Sequence, residues 1–199
     1  MREGRSHLTR RRVVRAIAVM PAAAALSRRS RAAQPEAGDV MARLCAYMGE
    51  AAGRPLPARV AADTVHHVLD TLAAMISGSE LPPGRQALQF ARTYGGQGTA
   101  TVVASDLACG PIEAAIVNGA LAQADETDDN YSAGGAHPGC AVVPAALAVG
   151  EQFGIDGARF LRAVTLGYDV GMRAMKTILG RTVLRDTHNV VGSFGASAM

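Results

Sequence analysis

Residues 58–77 read ARVAADTVHHVLDTLAAMIS, and this stretch decides the fold. Asp63 lies four residues before His67, and His66 lies four before Asp70, as oppositely charged residues often do on a helix surface. The apolar residues recur every three or four positions and share one helical face: Ala61, Val65, Val68, Leu69, Leu72, Met75 and Ile76. We therefore predict a long helix with these apolar residues in the core and both histidines on the solvated surface.

The same periodicity recurs along the rest of the chain and predicts further helices. They are expected at residues 39–52, 85–94, 111–124, 141–152, 157–176 and 189–199, with one short β-like stretch at residues 99–103. Of the 199 residues, 49% are hydrophobic but only 4% are aromatic, and Trp is absent. A core of Ala, Val, Leu and Met suits closely packed helices better than an aromatic-rich sheet. The sequence therefore predicts an all-α, bundle-like domain over residues 39–199.

Charge is distributed unevenly along the sequence. Residues 1–38 hold nine arginines against two glutamates, whereas the remaining eleven Lys and Arg residues face fifteen Asp and Glu residues. Because the predicted domain has no basic stripe to neutralise phosphates, we expect no nucleic-acid partner. No apolar run reaches the roughly 20 residues that a membrane-spanning helix needs, so we expect no membrane insertion.

The N-terminal segment, residues 1–38, has the order of an export signal. Arg10, Arg11 and Arg12 precede an apolar run at residues 16–26, and small residues follow at residues 32–33. Paired arginines before a modestly apolar core are typical of the twin-arginine type. An Arg-rich disordered tail is the alternative. The signal predicts a periplasmic or exported protein, and the tail a cytoplasmic one.

The densest group of chemically useful side chains lies at residues 125–139, DETDDNYSAGGAHPG. Three interpretations are open: a solvated acidic loop, an acid–base pair of a carboxylate with His137, or a metal site built from Asp128, Asp129 and His137. His188 precedes a Gly-rich helix start and is either structural or part of the same site. The three cysteines are widely spaced without a CxxC pair, so they predict no zinc site.

Six segments, taken in order, resemble the MmgE/PrpD family, which includes 2-methylcitrate dehydratases and cis-aconitate decarboxylases. They are HVLDTLAAMISG at 67–78, GGQGTATVV at 95–103, the stretch at 114–137, PAALA at 144–148, the stretch at 163–173 with GYDV inside it, and HNVVGSFG at 188–195. The resemblance covers about residues 40–199, and six motifs in the right order are specific.

The resemblance implies a set of active-site residues. Matched motif by motif, the catalytic residues are Glu126, His137 and His188, and Asp129 and Asn130 fall in the substrate-facing loop. The implied reaction is metal-independent acid–base chemistry without a cofactor: dehydration, decarboxylation or isomerisation of a small di- or tricarboxylate.

Substrate carboxylates need cationic partners, because an unpaired buried charge is expensive. Charged His137 and His188 are the first candidates, with Arg173 and Lys176 as further substrate-binding residues. The resemblance also implies a homodimer in the full-length form. Two other interpretations are open: a non-catalytic helical module and a metal-binding helical domain.

Two features depart from the family pattern. Gln123 stands where the family's acidic motif begins with histidine, and the family's lysine would lie beyond Met199. The family's C-terminal α/β domain is likewise absent from these 199 residues, so we expect a domain truncated at its C-terminal end. In that case the last helix should leave Val190, Val191, Phe194 and Ala198 uncovered.

Overall fold

A computed structural model describes residues 37–132, 135–178 and 188–199, and this part of the chain is mainly helical. None of its helices is both long enough and apolar enough to span a membrane. The predicted all-α class is confirmed, and most of the predicted signal, residues 1–36, lies outside the described residues. The elements are α1 (Ala37–Gly53), α2 (Ala58–Ser79), α3 (Pro82–Tyr94), β1 (Ala100–Thr101), β2 (Ala108–Cys109), α4 (Pro111–Gln123), α5 (Gly139–Phe153), α6 (Gly157–Ile178) and α7 (His188–Ser197).

The chain divides into two compact units, Met1–Ala46 and Tyr47–Met199. The first unit is described only over the first part of α1. The second unit contains the main hydrophobic core, in which α4 packs against α2, α3 and α5. Helices α3 and α4 begin at Pro82 and Pro111. Proline is favoured at the first position of a helix because the N–H that it lacks would have no partner within the helix there.

The predicted helix α2 is confirmed, but its predicted core face is partly wrong. Val65, Leu69 and Ile76 are 39%, 57% and 58% exposed. Met75 is buried as predicted, and the other buried residues of α2 are small or hydroxyl-bearing: Thr64, Thr71, Ala74, Gly78 and Ser79. Small side chains let α4 approach closely, and the buried threonine hydroxyls donate to carbonyl oxygens one turn back, 2.8 and 2.9 Å away. Burying them therefore leaves no polar group unsatisfied.

The predicted β-like stretch forms a two-stranded antiparallel hairpin in which Ala100 faces Cys109. Buried Asn118 of α4 holds it: its Oδ1 accepts from the Val103 N–H and its Nδ2 donates to the Thr101 carbonyl, both at 2.8 Å. The Thr101 N–H also donates to the carboxylate of Glu151 on α5. The hairpin is therefore fixed to two helices by side chains that replace missing strand partners.

Replacing Asn118 by leucine should lower the free energy of unfolding by about 2–4 kcal/mol, because two partly buried backbone groups lose their partners. Urea unfolding followed by circular dichroism measures this. Thr99→Ala removes an exposed hydrogen bond to Gln152 and should change stability by less than about 0.5 kcal/mol. If Asn118→Leu were as stable as Thr99→Ala, Asn118 would not be what holds the hairpin.

Helix α7 packs closely on α6 and α5 through glycines. A Cβ added at Gly195 would lie 2.8 Å from the carbonyl oxygen of Gly167, so only glycine allows this crossing distance. Val191 is fully buried and Ala198 is 5% exposed, whereas Phe194 is 50% exposed. The expectation that the last helix lacks partners is therefore wrong for Val191, which packs against Met175 of α6, and for Ala198, which is buried, and it holds for Phe194. The Val190 side chain lies outside what the structure describes.

Candidate active site

The loop between α4 and α5 begins with a turn built by Asp125. Its Oδ1 accepts from the N–H and the hydroxyl of Thr127, at 3.2 and 2.7 Å, and its Oδ2 accepts from the Ser77 hydroxyl of α2 at 2.5 Å. The Ser77 hydrogen bond is the main reason that the pKa of Asp125 lies below its ordinary value. Asp125 is therefore an ionised residue that stabilises the turn. This structural role accounts for one of the four carboxylates of the loop.

The other end of the loop is fixed by a short backbone bridge and a buried alanine. The Tyr131 N–H donates to the Ala136 carbonyl at 2.8 Å. Ala136 is fully buried in a small cluster with Met175 of α6 and Val191 of α7. His137 follows directly, so it lies where the loop, α6 and α7 meet and where α5 begins.

The loop brings His137 onto the carboxylate of Asp128. His137 Nδ1 lies 3.2 Å from Asp128 Oδ1 and 3.2 Å from the Asp128 carbonyl oxygen. The Asp128 side chain is completely buried and that of His137 is 17% exposed. Neither Asp128 carboxylate oxygen accepts a well-formed hydrogen bond from the described residues. A buried carboxylate with so few donors attracts positive charge, and the nearest group that can carry one is the imidazole.

Burial dominates the electrostatics of this pair. It raises the pKa of Asp128 above the ordinary aspartate value, while nearby His137 acts in the opposite direction. A raised folded-state pKa favours the protonated carboxyl. The protonated Asp128 carboxyl contributes its full stability below the pKa that Asp128 has in the unfolded chain. This contribution is lost as the pH rises through the pKa of Asp128 in the folded chain. Above that folded pKa the ionised Asp128 costs stability, as is common for residues kept for function.

Asp128→Asn should accordingly raise stability at pH 7 by about 1 kcal/mol, or roughly 2–4 °C in Tm for a chain of this length. Asparagine is nearly isosteric and stays neutral at every pH. The advantage should shrink as the pH falls to about 4, where the wild-type carboxyl also becomes neutral. Thermal unfolding of both proteins between these two pH values measures the effect, and a variant that is less stable at pH 7 would contradict it.

Cys140 lies beside the pair but is not a nucleophile at neutral pH. Its thiol donates to the His137 carbonyl oxygen at 3.1 Å. Burial, assisted by the charge of Asp128, raises its pKa to about 12. The reactive form of cysteine is the thiolate, so a thiol held protonated in this way contributes packing and a weak hydrogen bond.

The neighbouring Asp129 lies in a different environment, with three partners for its carboxylate. Oδ1 accepts from the Gly139 N–H at 2.9 Å, and Oδ2 accepts from the Tyr168 hydroxyl at 2.7 Å. Oδ2 also lies 2.9 Å from Nδ1 of His67. Asp129 thus connects the loop to α2, α5 and α6.

The remaining predicted loop residues point to solvent. Glu126 is exposed, with a left-handed backbone (φ 55°), and its carboxylate makes no hydrogen bond or ion pair among the described residues. Asn130 is also exposed. The carboxylate brought to His137 is therefore that of Asp128 rather than Glu126. His188 begins α7, but its side chain lies outside what the structure describes.

The two cationic candidates on α6 are both exposed. Arg173 Nε donates to Asp169 at 2.7 Å and its guanidinium lies 5.7 Å from the centre of the Tyr47 ring. The Tyr47 hydroxyl donates to the same carboxylate at 2.6 Å. Lys176 is exposed in the last turn of α6. Arg173 is therefore engaged in a surface cluster, and its role toward substrate stays a prediction.

Sequence reasoning missed His67 and Tyr168. The helical spacing predicted His67 to pair with Asp63 or stay solvated, but Asp63 lies 3.8 Å from Arg59 instead. His67 contacts Asp129, 62 positions along the chain, so no local pattern could show it. Tyr168 belongs to the GYDV segment, which marked the position without revealing its partner. In the described ranges, no group of three or more His, Cys, Asp or Glu side chains could hold a metal ion.

Comparison with known proteins agrees with the resemblance. The sequence pattern of the MmgE/PrpD N-terminal domain matches residues 42–199. The chain belongs to the MmgE/PrpD family. It is 33% identical over 171 residues to the cis-aconitate decarboxylase-like protein oryM of Aspergillus oryzae, covering 81% of this chain and 36% of that protein. It is 27% identical over 164 residues to a cis-aconitate decarboxylase of Aspergillus terreus, covering 80% of this chain and 34% of that protein.

This MmgE/PrpD chain thus spans about a third of the length of the curated relatives it matches. Those relatives are named as a cis-aconitate decarboxylase and a cis-aconitate decarboxylase-like protein. The Asp128–His137 pair and Asp129 all lie inside the matched residues.

Proposed function

We propose that this chain provides the acid–base residues of a lyase active site that acts on a small di- or tricarboxylate. The observation that carries the proposal is the buried Asp128 carboxylate against the imidazole of His137. A carboxylate that orients an imidazole and stabilises its charged form is a recurrent arrangement for proton transfer. The names of the relatives support cis-aconitate as the first substrate to examine.

The pair can serve either direction of proton transfer. In a decarboxylation, the bond to one carboxylate breaks, CO2 leaves, and the electron pair left on the substrate takes a proton from the His137 imidazolium. In a dehydration, a base removes the proton beside a carboxylate, and an acid protonates the departing hydroxyl. Both reactions need one group that holds a proton near neutral pH, and histidine suits this best. His188 and Glu126 remain predicted partners, with Asp129, Asn130, Arg173 and Lys176 as predicted substrate contacts.

The direct test is to incubate the purified chain with cis-aconitate or 2-methylcitrate and follow both acids by proton NMR. Consumption of one acid above the buffer rate, insensitive to EDTA, would support the proposal. Loss of the rate on chelation would favour a metal-binding domain. Buffer rates for both acids, with no saturable shift of the His137 ring resonances on titration, would favour a non-catalytic helical module.

Export and assembly also belong to this proposal. Residues 1–38 fused to a folded reporter should carry it across the bacterial inner membrane, because the twin-arginine route accepts folded cargo. Replacing Arg10, Arg11 and Arg12 by lysine should stop transport while conserving charge. A reporter that stays in the cytoplasm with the native segment would show that the arginines form only a tail. Sedimentation of the full-length form, without the reporter, tests the expected homodimer.

A further inference from the structure

His67 of α2 contacts the loop through Asp129, outside the Asp128–His137 pair. We infer that His67 is a positioning residue, which holds this pair in its reactive arrangement by fixing Asp129. The inference rests on the proposed function for its effect on turnover. Its structural part, the coupling of His67 to His137, stands on the geometry alone.

Asp129 is placed so that its movement would displace both members of the pair. It follows Asp128 directly, and its Oδ1 accepts from the N–H of Gly139, two residues after His137. One carboxylate therefore connects the two parts of the loop that carry Asp128 and His137. A shift of about 1 Å in a reacting group can cost a large factor in rate, so a side chain that fixes Asp129 affects the chemistry without touching substrate.

His67 differs from the other two partners of Asp129 because solvent reaches its side chain. Gly139 is buried, and burial raises the pKa of Tyr168 far above its ordinary value, so the phenol stays a protonated donor. The Asp129 side chain is only 9% exposed, whereas the His67 side chain is 48% exposed. The contact between them joins a nearly buried carboxylate to a side chain that solvent reaches.

The packing around Asp129 leaves little freedom for another arrangement. A Cβ added at Gly139 would lie 2.5 Å from Thr71 Oγ1, 2.7 Å from Asp129 Oδ1 and 3.1 Å from the Tyr168 hydroxyl. On the outer side, the rings of His67 and Tyr168 lie 5.0 Å apart beside a groove of about 180 Å³. The titratable groups facing His67 are Asp129 of the loop, Tyr168 of α6 and Asp63 of its own helix.

The test uses three substitutions of His67 in the full 199-residue chain. Asparagine places an N–H donor where Nδ1 lies, glutamine places one where Nε2 lies, and leucine has none. With histidine labelled by ¹⁵N, the His137 ring resonances and their titration midpoint should move in His67→Leu and His67→Gln and return to wild-type positions in His67→Asn. Where turnover is measured, leucine should lower kcat about 10-fold with KM within about 2-fold, and asparagine should restore it to within about 3-fold.

Exposed His66, the adjacent residue, provides the matched control, since His66→Leu should leave the His137 resonances and kcat unchanged. Unchanged His137 resonances in His67→Leu would overturn the inference. Equal losses of kcat in His67→Asn and His67→Leu that parallel a fall in Tm would also overturn it, because they would show that His67 has only a structural role. The resonances decide the inference even if no acid is consumed, so its failure is distinguishable from failure of the proposed function.

Discussion

Replacing His137 by asparagine should lower the turnover of cis-aconitate at least about 100-fold, the usual loss when one acid–base group is removed. Asparagine keeps a donor near the position of Nδ1, so the contact with Asp128 at 3.2 Å can persist. It cannot hold and release a proton near neutral pH. The substitution therefore separates proton transfer from loop structure, and steady-state rates with a melting curve measure both.

The melting curve is the control for this experiment, because His137 lies in a loop and packs little into the main core. We expect Tm to change by no more than about 2 °C. Turnover within threefold of wild type would remove His137 from the mechanism. A loss of both turnover and folding would show that His137 is structural. The Asp128→Asn variant examines the other member of the pair independently.

The helices could be predicted because their signal is local. Apolar residues at helical spacing predicted every described helix to within a few residues. The orientation of α2 could not be predicted, because it depends on which neighbour comes closest. Leu69 and Ile76 looked like core residues, but α4 packs on the side that carries Gly78.

The candidate site was predicted in part for the same reason. The acidic loop and His137 stand close together in sequence, so their meeting was expected. Which carboxylate turns inward depends on the turn at Asp125, and that turn is held by Ser77 of a distant helix. Family motifs pointed to Glu126, whereas the backbone buries Asp128 and leaves Glu126 exposed. Contacts between residues far apart in the chain decide such choices, and one sequence does not contain them.

Gly78→Ala should lower the free energy of unfolding by about 3 kcal/mol, although alanine is the better helix former by about 1 kcal/mol. The added Cβ would collide with the carbonyl oxygen of Leu121 and lie 3.0 Å from the Ala124 Cβ, so the backbones of α2 and α4 must separate. Urea unfolding measures this, with Gly157→Ala as the matched control, since a Cβ there meets nothing within 4 Å. Ser77, the next residue, holds Asp125, so turnover should fall even at temperatures where the variant remains folded. A Gly78→Ala protein as stable and active as Gly157→Ala would mean that α2 and α4 can separate without cost and that their contact does not position the loop.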